Sequence, residues 1–177
     1  MNRTDRAAYA GTVVRIRESP VDAPDAHELL TEYFHSRELG FAHQHVVYTT
    51  TFPDRAIFEP PAGVFVVLDD DTDSPVGCGG IRRIDDGPLG VRYEVKHLYL
   101  QPETRGRGWG RLLVEDLERR ARVFGAVDLV LDTHHTLEAA GGLYAASGFV
   151  AIEPYNVNPN ATRWYGKALG PAEGTGG

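Results

Sequence analysis

Three glycines within five positions separate an apolar run from an amphipathic segment in this chain. The apolar run, residues 92–100, is typical of a strand, whereas residues 108–124 repeat apolar side chains at helical spacing. Glycine removes the side chains that would keep backbone N–H groups away from a ligand, and a helix N-terminus adds unpaired donors and a positive dipole end. Residues 105–110, which we call the glycine loop, therefore predict a strand-loop-helix unit that binds an anion.

The glycine loop alone does not name the anion, because several cofactors use such turns. The chain has no Gly-x-x-x-x-Gly-Lys-Ser/Thr, which excludes a P-loop. A dinucleotide fold is a closer rival, because Asp128 and Asp132 follow the glycines by about twenty residues. The spacing argues against it, since Gly-x-Gly-x-Gly replaces Gly-x-Gly-x-x-Gly and residues 101–105 separate the glycines from the preceding strand.

The rest of the chain predicts a mixed α/β sheet of about six to seven strands with about four helices. The strand between residues 92 and 100, the following helix and the strand at 127–131 make a right-handed crossover unit with a parallel pair. We expect a single domain over residues 12–169 and flexible tails at 1–11 and 170–177. The other predicted strands are residues 12–17, 64–68, 76–84, 149–152 and 161–169, and the other predicted helices are 22–39, as one or two helices, and 137–146.

Composition and charge argue against several classes of protein. The formal net charge of −7 is unlike that of a general nucleic-acid binder, although residues 91–125 carry eight basic against five acidic residues. The first thirty residues hold no apolar stretch of signal-peptide length, and no run approaches the roughly 18 apolar residues of a membrane span. Cys78 is the only cysteine, so an internal disulfide is excluded. We therefore expect a cytoplasmic protein that works away from nucleic acids and membranes.

No metal site is predicted. His43 and His45 have no further ligands at metal-like spacing. The acidic turn at residues 69–74 begins like a calcium loop, but serine and glycine stand where such a loop needs glycine and glutamate. We expect a solvated hairpin turn there, and at Cys78 a small buried strand residue rather than a nucleophile.

Three segments in a fixed order give a specific resemblance. Residues 94–102 are Glu-Val-Lys-His-Leu-Tyr-Leu-Gln-Pro, residues 105–113 are Arg-Gly-Arg-Gly-Trp-Gly-Arg-Leu-Leu, and residues 143–149 are Leu-Tyr-Ala-Ala-Ser-Gly-Phe. The glycine loop matches the acetyl-coenzyme A signature Gln/Arg-x-x-Gly-x-Gly/Ala at every position. The chain therefore resembles the GNAT superfamily of N-acetyltransferases, most firmly over residues 76–149.

The resemblance implies acetyl-coenzyme A as co-substrate. In such proteins the two parallel strands splay apart, the pantetheine arm pairs with backbone groups of Leu98 and Leu100 in the gap, and the pyrophosphate lies on the glycine loop. Many relatives bind the pantetheine with an asparagine where this chain has Leu137, so Thr133 or His134 is expected to substitute. The residues predicted to bind the cofactor are Leu98, Tyr99, Leu100, Arg105, Gly106, Arg107, Gly108, Trp109, Gly110, Arg111 and Thr133.

The resemblance also implies a catalytic acid and a catalytic base. Tyr144 matches the tyrosine that protonates the departing thiolate, and its ordinary pKa of about 10 keeps the hydroxyl protonated at neutral pH. The alternative for Tyr144 is a core aromatic residue. Glu94 occupies a strand position where several relatives carry the base, directly or through water, and the alternative is an exposed carboxylate facing Lys96. His97 is a second candidate for the base, on the opposite strand face unless a bulge intervenes.

The predicted reaction is direct transfer of an acetyl group to a primary amine. By family analogy the acceptor lies between residues 22–62 and the strands near Ile81 and Glu94. An acidic bias in that segment favours a small cationic molecule. The alternatives are a protein or peptide N-acetyltransferase, a non-catalytic acyl-coenzyme A-binding module and an NAD-binding protein, and a homodimer is an open alternative to a monomer. The acidic residues in question are Glu28, Glu32, Glu38, Asp54 and Glu59.

Overall fold

The computed structural model describes residues 5–9, 12–42, 50–135 and 137–170. Its α-helices are α1 (Pro24–Ala42), α2 (Trp109–Val123) and α3 (Glu138–Ala146), and short 3₁₀ helices span Arg55–Phe58 and Pro102–Thr104. Its strands are β1 (Asp5–Tyr9), β2 (Thr12–Glu18), β3 (Gly63–Asp69), β4 (Pro75–Gly87), β5 (Gly90–Leu100), β6 (Asp128–Thr133), β7 (Val150–Ala151) and β8 (Arg163–Ala168). These strands form one sheet in the order β1-β2-β3-β4-β5-β6-β8-β7.

Neighbouring strands in this sheet pair antiparallel, except for β5 and β6, which run parallel and are joined through α2. This is the predicted crossover unit, and the mixed α/β class is confirmed. The described residues hold eight strands and three α-helices, against the expected six to seven strands and four helices. The additional strand is β1, whose residues pair with β2 although their polar sequence predicted part of a flexible tail. The tail residues 1–4, 10–11 and 171–177 lie outside the described part of the chain.

Successive side chains of β3 point to opposite faces of the sheet and belong to two separate hydrophobic clusters. Val66 belongs to a cluster with Leu117 of α2, whereas its neighbour Phe65 belongs to a cluster with Leu30 of α1. All seven residues of β3 are buried, because helices cover both faces. Within the described ranges, no helix combines the length and the apolar character that crossing a bilayer requires.

Two irregularities in β5 shape the centre of the sheet. Cys78 pairs with Tyr99 but Gly80 pairs with Lys96, so β5 holds one extra residue between these pairs. This is a β-bulge, and His97 within it has a positive φ of 56°. On its other side, β5 pairs with β6 only over residues 92–94, and both strands continue beyond that point. The two strands therefore diverge where the bulge lies.

Candidate active site

The glycine loop leads into α2 with its backbone donors open. Gly106 and Gly108 have φ values of 78° and 81°, in the left-handed region that glycine adopts without strain. Gly108 is the N-cap of α2, and neither a capping side-chain hydrogen bond nor an acidic residue in the first turn satisfies the helix start. The first N–H groups of a helix have no partner inside it, so this end of α2 offers an anion several donors and a positive dipole.

A groove of about 380 Å³, which we call the loop groove, runs from the glycine loop between β5 and α3. Its walls are mostly apolar, and Leu143 and Ala140 contribute to them from α3. Eight of the eleven predicted cofactor residues line it, namely Leu98, Tyr99, Leu100, Arg105, Gly106, Gly108, Gly110 and Arg111. The structure therefore brings most of the predicted cofactor set together along one groove.

The other three predicted cofactor residues lie elsewhere. The Trp109 side chain is 2% exposed and packs in the core, with the guanidinium of Arg107 5.1 Å from its ring centre. The side chain of Trp109 therefore belongs to the core and does not line the loop groove. Thr133 lines a neighbouring cavity, where its carbonyl accepts a hydrogen bond from the backbone N–H of Thr162. The assignment of these three residues to the cofactor stays a prediction, which for Arg107 and Trp109 concerns their backbone N–H groups.

The diverging strands open a second cavity of about 220 Å³, which we call the gap cavity. It is walled by β5 on one side and β6 on the other, with α1 and α3 above them. Its described lining residues are Tyr33, Phe34, Arg37, Thr51, Val95, Lys96, His97, Leu98, Leu131, Asp132, Thr133, Leu137, Ala140, Tyr144, Asn158 and Asn160. Six of these residues also line the loop groove, so the two spaces adjoin.

Tyr144 is one of the shared residues. Its side chain is 7% exposed, and its ring centre lies 6.0 Å from those of Phe149 and Tyr165. Burial raises the pKa of Tyr144 to about 12, although the cation of Arg37 acts in the opposite direction. Tyr144 is therefore both a core aromatic residue and a wall of both spaces, with a hydroxyl that stays protonated at neutral pH.

Glu94 lies in a third space of about 290 Å³ beside the β4-β5 hairpin, which we call the hairpin pocket. The Glu94 side chain is only 1% exposed. Its carboxylate pairs with Arg82 at 2.7 Å and accepts a hydrogen bond from Tyr155 at 2.8 Å. Glu94 does not line either space that Tyr144 lines. The exposed position considered for this carboxylate is wrong, because side chains from β4 and from the loop before β8 cover it.

Lys96 connects the hairpin pocket to the gap cavity. Its ammonium lies 3.0 Å from Glu94 Oε1 and 3.1 Å from Asp132 Oδ1. Burial raises the pKa of Asp132, but Lys96 together with Asn158 and Asn156 outweighs that effect, so the pKa is lowered. Asp132 therefore remains an anion in the wall of the gap cavity. The sequence drew attention to Asp132 only through its spacing from the glycines in the dinucleotide-fold alternative, since its asparagine partners lie in a loop whose path the sequence does not indicate.

The bulge turns His97 toward α1. Its ring centre lies 5.6 Å from those of Tyr33 and Phe34, and its Nδ1 is buried without a hydrogen-bond partner among the described residues. Burial, reinforced by the cations of Lys96 and Arg82, lowers the pKa of His97 to about 3. His97 is thus a neutral hydrogen-bonding group of the gap cavity. Simple alternation predicted the other face, and the bulge accounts for the difference.

Cys78 is fully buried, and its thiol points to the carbonyl of His97 at 3.6 Å. Burial raises its pKa, which fits the expected small core residue rather than a nucleophile. In the described ranges, no group of three or more histidine, cysteine, aspartate or glutamate residues is arranged to hold a metal ion. His43 and His45 lie outside the described residues.

The sequence matches the model of the acetyltransferase (GNAT) family over residues 23–149. It is 34% identical over 140 residues to an uncharacterised N-acetyltransferase of Schizosaccharomyces pombe, and the matched residues make up 79% of this chain and 83% of that protein. It is also 38% identical over 80 residues to the IAA acetyltransferase of Azospirillum brasilense, across 45% of this chain and 50% of that one.

Solved structures share the fold. A GNAT superfamily phosphinothricin acetyltransferase from Sinorhizobium meliloti, in complex with AcCoA, matches with a TM-score of 0.67 and 21% identity over 91% of this chain and 94% of that one. An acetyltransferase of the GNAT family from Staphylococcus aureus Mu50 matches with a TM-score of 0.70 and 19% identity over 88% of this chain and 99% of that one. At these identities the similarity concerns the fold.

Proposed function

This chain belongs to the acetyltransferase (GNAT) family, and we propose that it transfers the acetyl group of acetyl-coenzyme A to the primary amine of a small molecule. One observation carries the proposal. The loop groove, which ends on the open start of α2, adjoins the gap cavity through shared residues that include Tyr144 and Arg37. A donor in the groove and an amine in the cavity would therefore meet at one place.

The residues of the loop groove fit coenzyme A. The glycine loop presents backbone N–H groups to a pyrophosphate, and each charge-assisted hydrogen bond of this kind contributes about 1.5 to 3 kcal/mol. The edge of β5 beyond Glu94 lacks pairing with β6, so the backbone of Leu98 and Leu100 faces the gap where an amide-containing arm would lie. Acetyl-coenzyme A supplies the acetyl carbon as a thioester, so that a C–N bond forms as the C–S bond breaks.

We assign the catalytic acid to Tyr144. The raised pKa of about 12 keeps its proton available, and the sulfur leaving as a thiolate needs one.

The role of Glu94 changes with its position. Its carboxylate accepts hydrogen bonds from three side chains and lies in the hairpin pocket, so direct contact with an amine in the gap cavity is not supported. We propose that Glu94 acts as a positioning residue that holds Lys96, while the amine loses its surplus proton to solvent before attack. A base role for Glu94 would instead make the acidic limb of the pH profile depend on its carboxylate.

The sequence suggested a cationic acceptor because residues 22–62 are rich in acidic side chains. The structure weakens that support, because most of these acids have partners within the protein. Glu32 accepts hydrogen bonds from Tyr99 and Gln101, and Glu59 pairs with Arg55. Glu38 accepts from Thr50, Asp54 caps the first 3₁₀ helix, and the described lining of the gap cavity contains none of the five acids. A cavity of about 220 Å³ favours a small molecule over a protein surface.

Thiol release from acetyl-coenzyme A, measured across amino acids, amines, antibiotics and peptides, tests the proposed function. A thermal-shift series with acetyl-coenzyme A and with NAD runs alongside, because a ligand at 100 times its dissociation constant adds about 2.7 kcal/mol to stability. Stabilisation by acetyl-coenzyme A with turnover on an amine is expected. Stabilisation without turnover would indicate a binding module, turnover on peptides alone would indicate a peptide acetyltransferase, and stabilisation by NAD alone would contradict the proposal.

We propose that residues 12–169, together with strand β1 of the same sheet, act as a single domain. We also propose that the protein works in the cytoplasm, and that it functions as a monomer or a homodimer without nucleic acid, metal or membrane partners.

A further inference from the structure

The described charged residues of the gap cavity include more cations than anions. Arg37 and Lys96 contribute two positive charges, and Asp132 contributes one negative charge. The cavity that would receive the amine is therefore not the acidic pocket that a polyamine or another polycation would favour.

The three charges have different surroundings. Lys96 lies within 3.1 Å of both Glu94 and Asp132, so two carboxylates offset its charge. Asp132 is fixed by hydrogen bonds from Asn156 at 2.7 Å and Asn158 at 3.0 Å. Both groups belong to the strand side of the cavity, where an ammonium would find Asp132.

Arg37 stands on the other wall. It belongs to α1, its guanidinium lies 5.3 Å from the ring centre of Phe41, and it lines both the gap cavity and the loop groove. Apart from Arg37, Lys96 and Asp132, the described lining of the cavity is uncharged, and it includes Tyr33, Phe34 and the neutral ring of His97. The cavity thus presents a fixed anion, an aromatic wall and a guanidinium.

From this arrangement, and resting on the proposed acetyl transfer, we infer that the acceptor is a zwitterion: a small amine with an apolar body and a carboxylate or similar anionic group. The amine lies at the Asp132 side and the anionic group pairs with Arg37, whose planar guanidinium matches a carboxylate with two hydrogen bonds. A second positive charge on the acceptor would instead lie near Arg37 and Lys96.

Matched acceptors test this inference. Acetyl transfer is measured for phenylalanine, leucine and methionine, each beside its amide and its decarboxylated amine, and then for the other protein amino acids. We expect kcat/KM for the best carboxylate-bearing amine to exceed that of its amide and its decarboxylated partner by at least about tenfold, the value of one charge-assisted contact.

An arginine variant identifies the group that recognises the anion. Arg37→Gln should raise KM for the carboxylate acceptor by at least about tenfold but change kcat/KM for the amide by less than about threefold, and Arg37→Lys should recover part of the loss. Arg55→Gln removes the same charge from an exposed site outside the described cavity linings and is the matched control. Thermal shift with acetyl-coenzyme A checks separately that Arg37→Gln still binds the donor.

Each outcome separates the inference from the proposed function. Transfer to amides or decarboxylated amines that equals or exceeds transfer to the acids would overturn the inference and leave the acetyltransferase proposal intact. The same holds if no carboxylate-bearing amine is acetylated while other amines are, or if Arg37→Gln weakens all acceptors equally. Absence of transfer to every amine would overturn both.

Discussion

The hydroxyl of Tyr155 donates a hydrogen bond to the carboxylate of Glu94, with 2.8 Å between the oxygens and 61 positions between the residues in sequence. Burial raises the pKa of Tyr155, and the charges of Glu94 and Asp132 raise it further, so the hydroxyl remains a donor at every physiological pH. This bond ties the loop before β8 to β5 at the wall of the hairpin pocket.

Tyr155→Phe should lower the free energy of unfolding by about 1 to 3 kcal/mol, because it removes a donor from a buried carboxylate. Urea unfolding measures the loss. In a double-mutant cycle with Glu94→Gln, the two losses should sum to more than the loss in the double variant, since both substitutions disrupt the same bond. Strict additivity would mean that the hydrogen bond contributes nothing.

Glu94→Gln should reduce stability by about 3 kcal/mol, because Arg82 and Lys96 lose a buried anionic partner. If Glu94 positions Lys96, the folded variant keeps the shape of the pH profile of kcat/KM, with a lower plateau. Stopped-flow or plate assays of thiol release between pH 5.5 and 9 in buffer measure that profile. If the pH profile of Glu94→Gln lost its acidic limb and its kcat/KM fell by about 10² or more at neutral pH, Glu94 would instead be identified as the general base.

Tyr144→Phe should slow thiol release by about 10² or more while leaving acetyl-coenzyme A binding nearly unchanged, because the leaving sulfur loses its proton donor. The raised pKa also has a consequence for stability. Since the folded pKa of about 12 lies above the unfolded value of about 10, stability falls as the pH rises from 10 toward 12, and the variant lacks that contribution. Turnover of the variant equal to that of the wild type across the pH range would exclude the acid role.

Gly108→Ala should weaken acetyl-coenzyme A binding, because its φ of 81° costs a side-chain-bearing residue about 1 to 2 kcal/mol and the loop would relax to another conformation. Calorimetric titration gives the affinity. Gly142→Ala in α3 is the matched control, since a Cβ there meets nothing within 4 Å and alanine favours the helix. Equal affinities for the two variants would show that the backbone conformation of the loop is not required.

His97→Asn should make the protein less sensitive to acid. The folded pKa of about 3 lies below the ordinary 6.5, so only the unfolded chain takes up a proton as the pH falls below 6.5, and stability is lost down to about pH 3. Between pH 7 and pH 5 this loss is about 2 kcal/mol. Asparagine tolerates the positive φ of the bulge, and His35→Asn, at an exposed position, is the control. Urea unfolding of the wild type and both variants at the two pH values measures the difference. If His97→Asn lost as much stability on acidification as the wild type, the prediction would be contradicted.

The local part of the site was predictable from the sequence and the long-range part was not. The glycine loop, the start of α2 and the crossover unit depend on residues within about one element of each other, so spacing and periodicity indicate them. The bulge at His97 depends on how β5 pairs with β4, and the burial of Glu94 depends on Arg82 and Tyr155. Pairing register and distant partners leave no periodic trace in a single chain, so the faces of His97 and Glu94 and the importance of Asp132 required the structure.

Where β5 diverges from β6, backbone groups and side chains have different roles. In the proposed reaction, the donor is recognised through backbone geometry, by the free edge of β5 and the left-handed glycines before α2. The proposed acceptor is recognised instead through the side chains of Arg37, Lys96 and Asp132, which other residues can replace without moving a strand. On this proposal, point substitutions can exchange one acceptor for another while the donor stays the same.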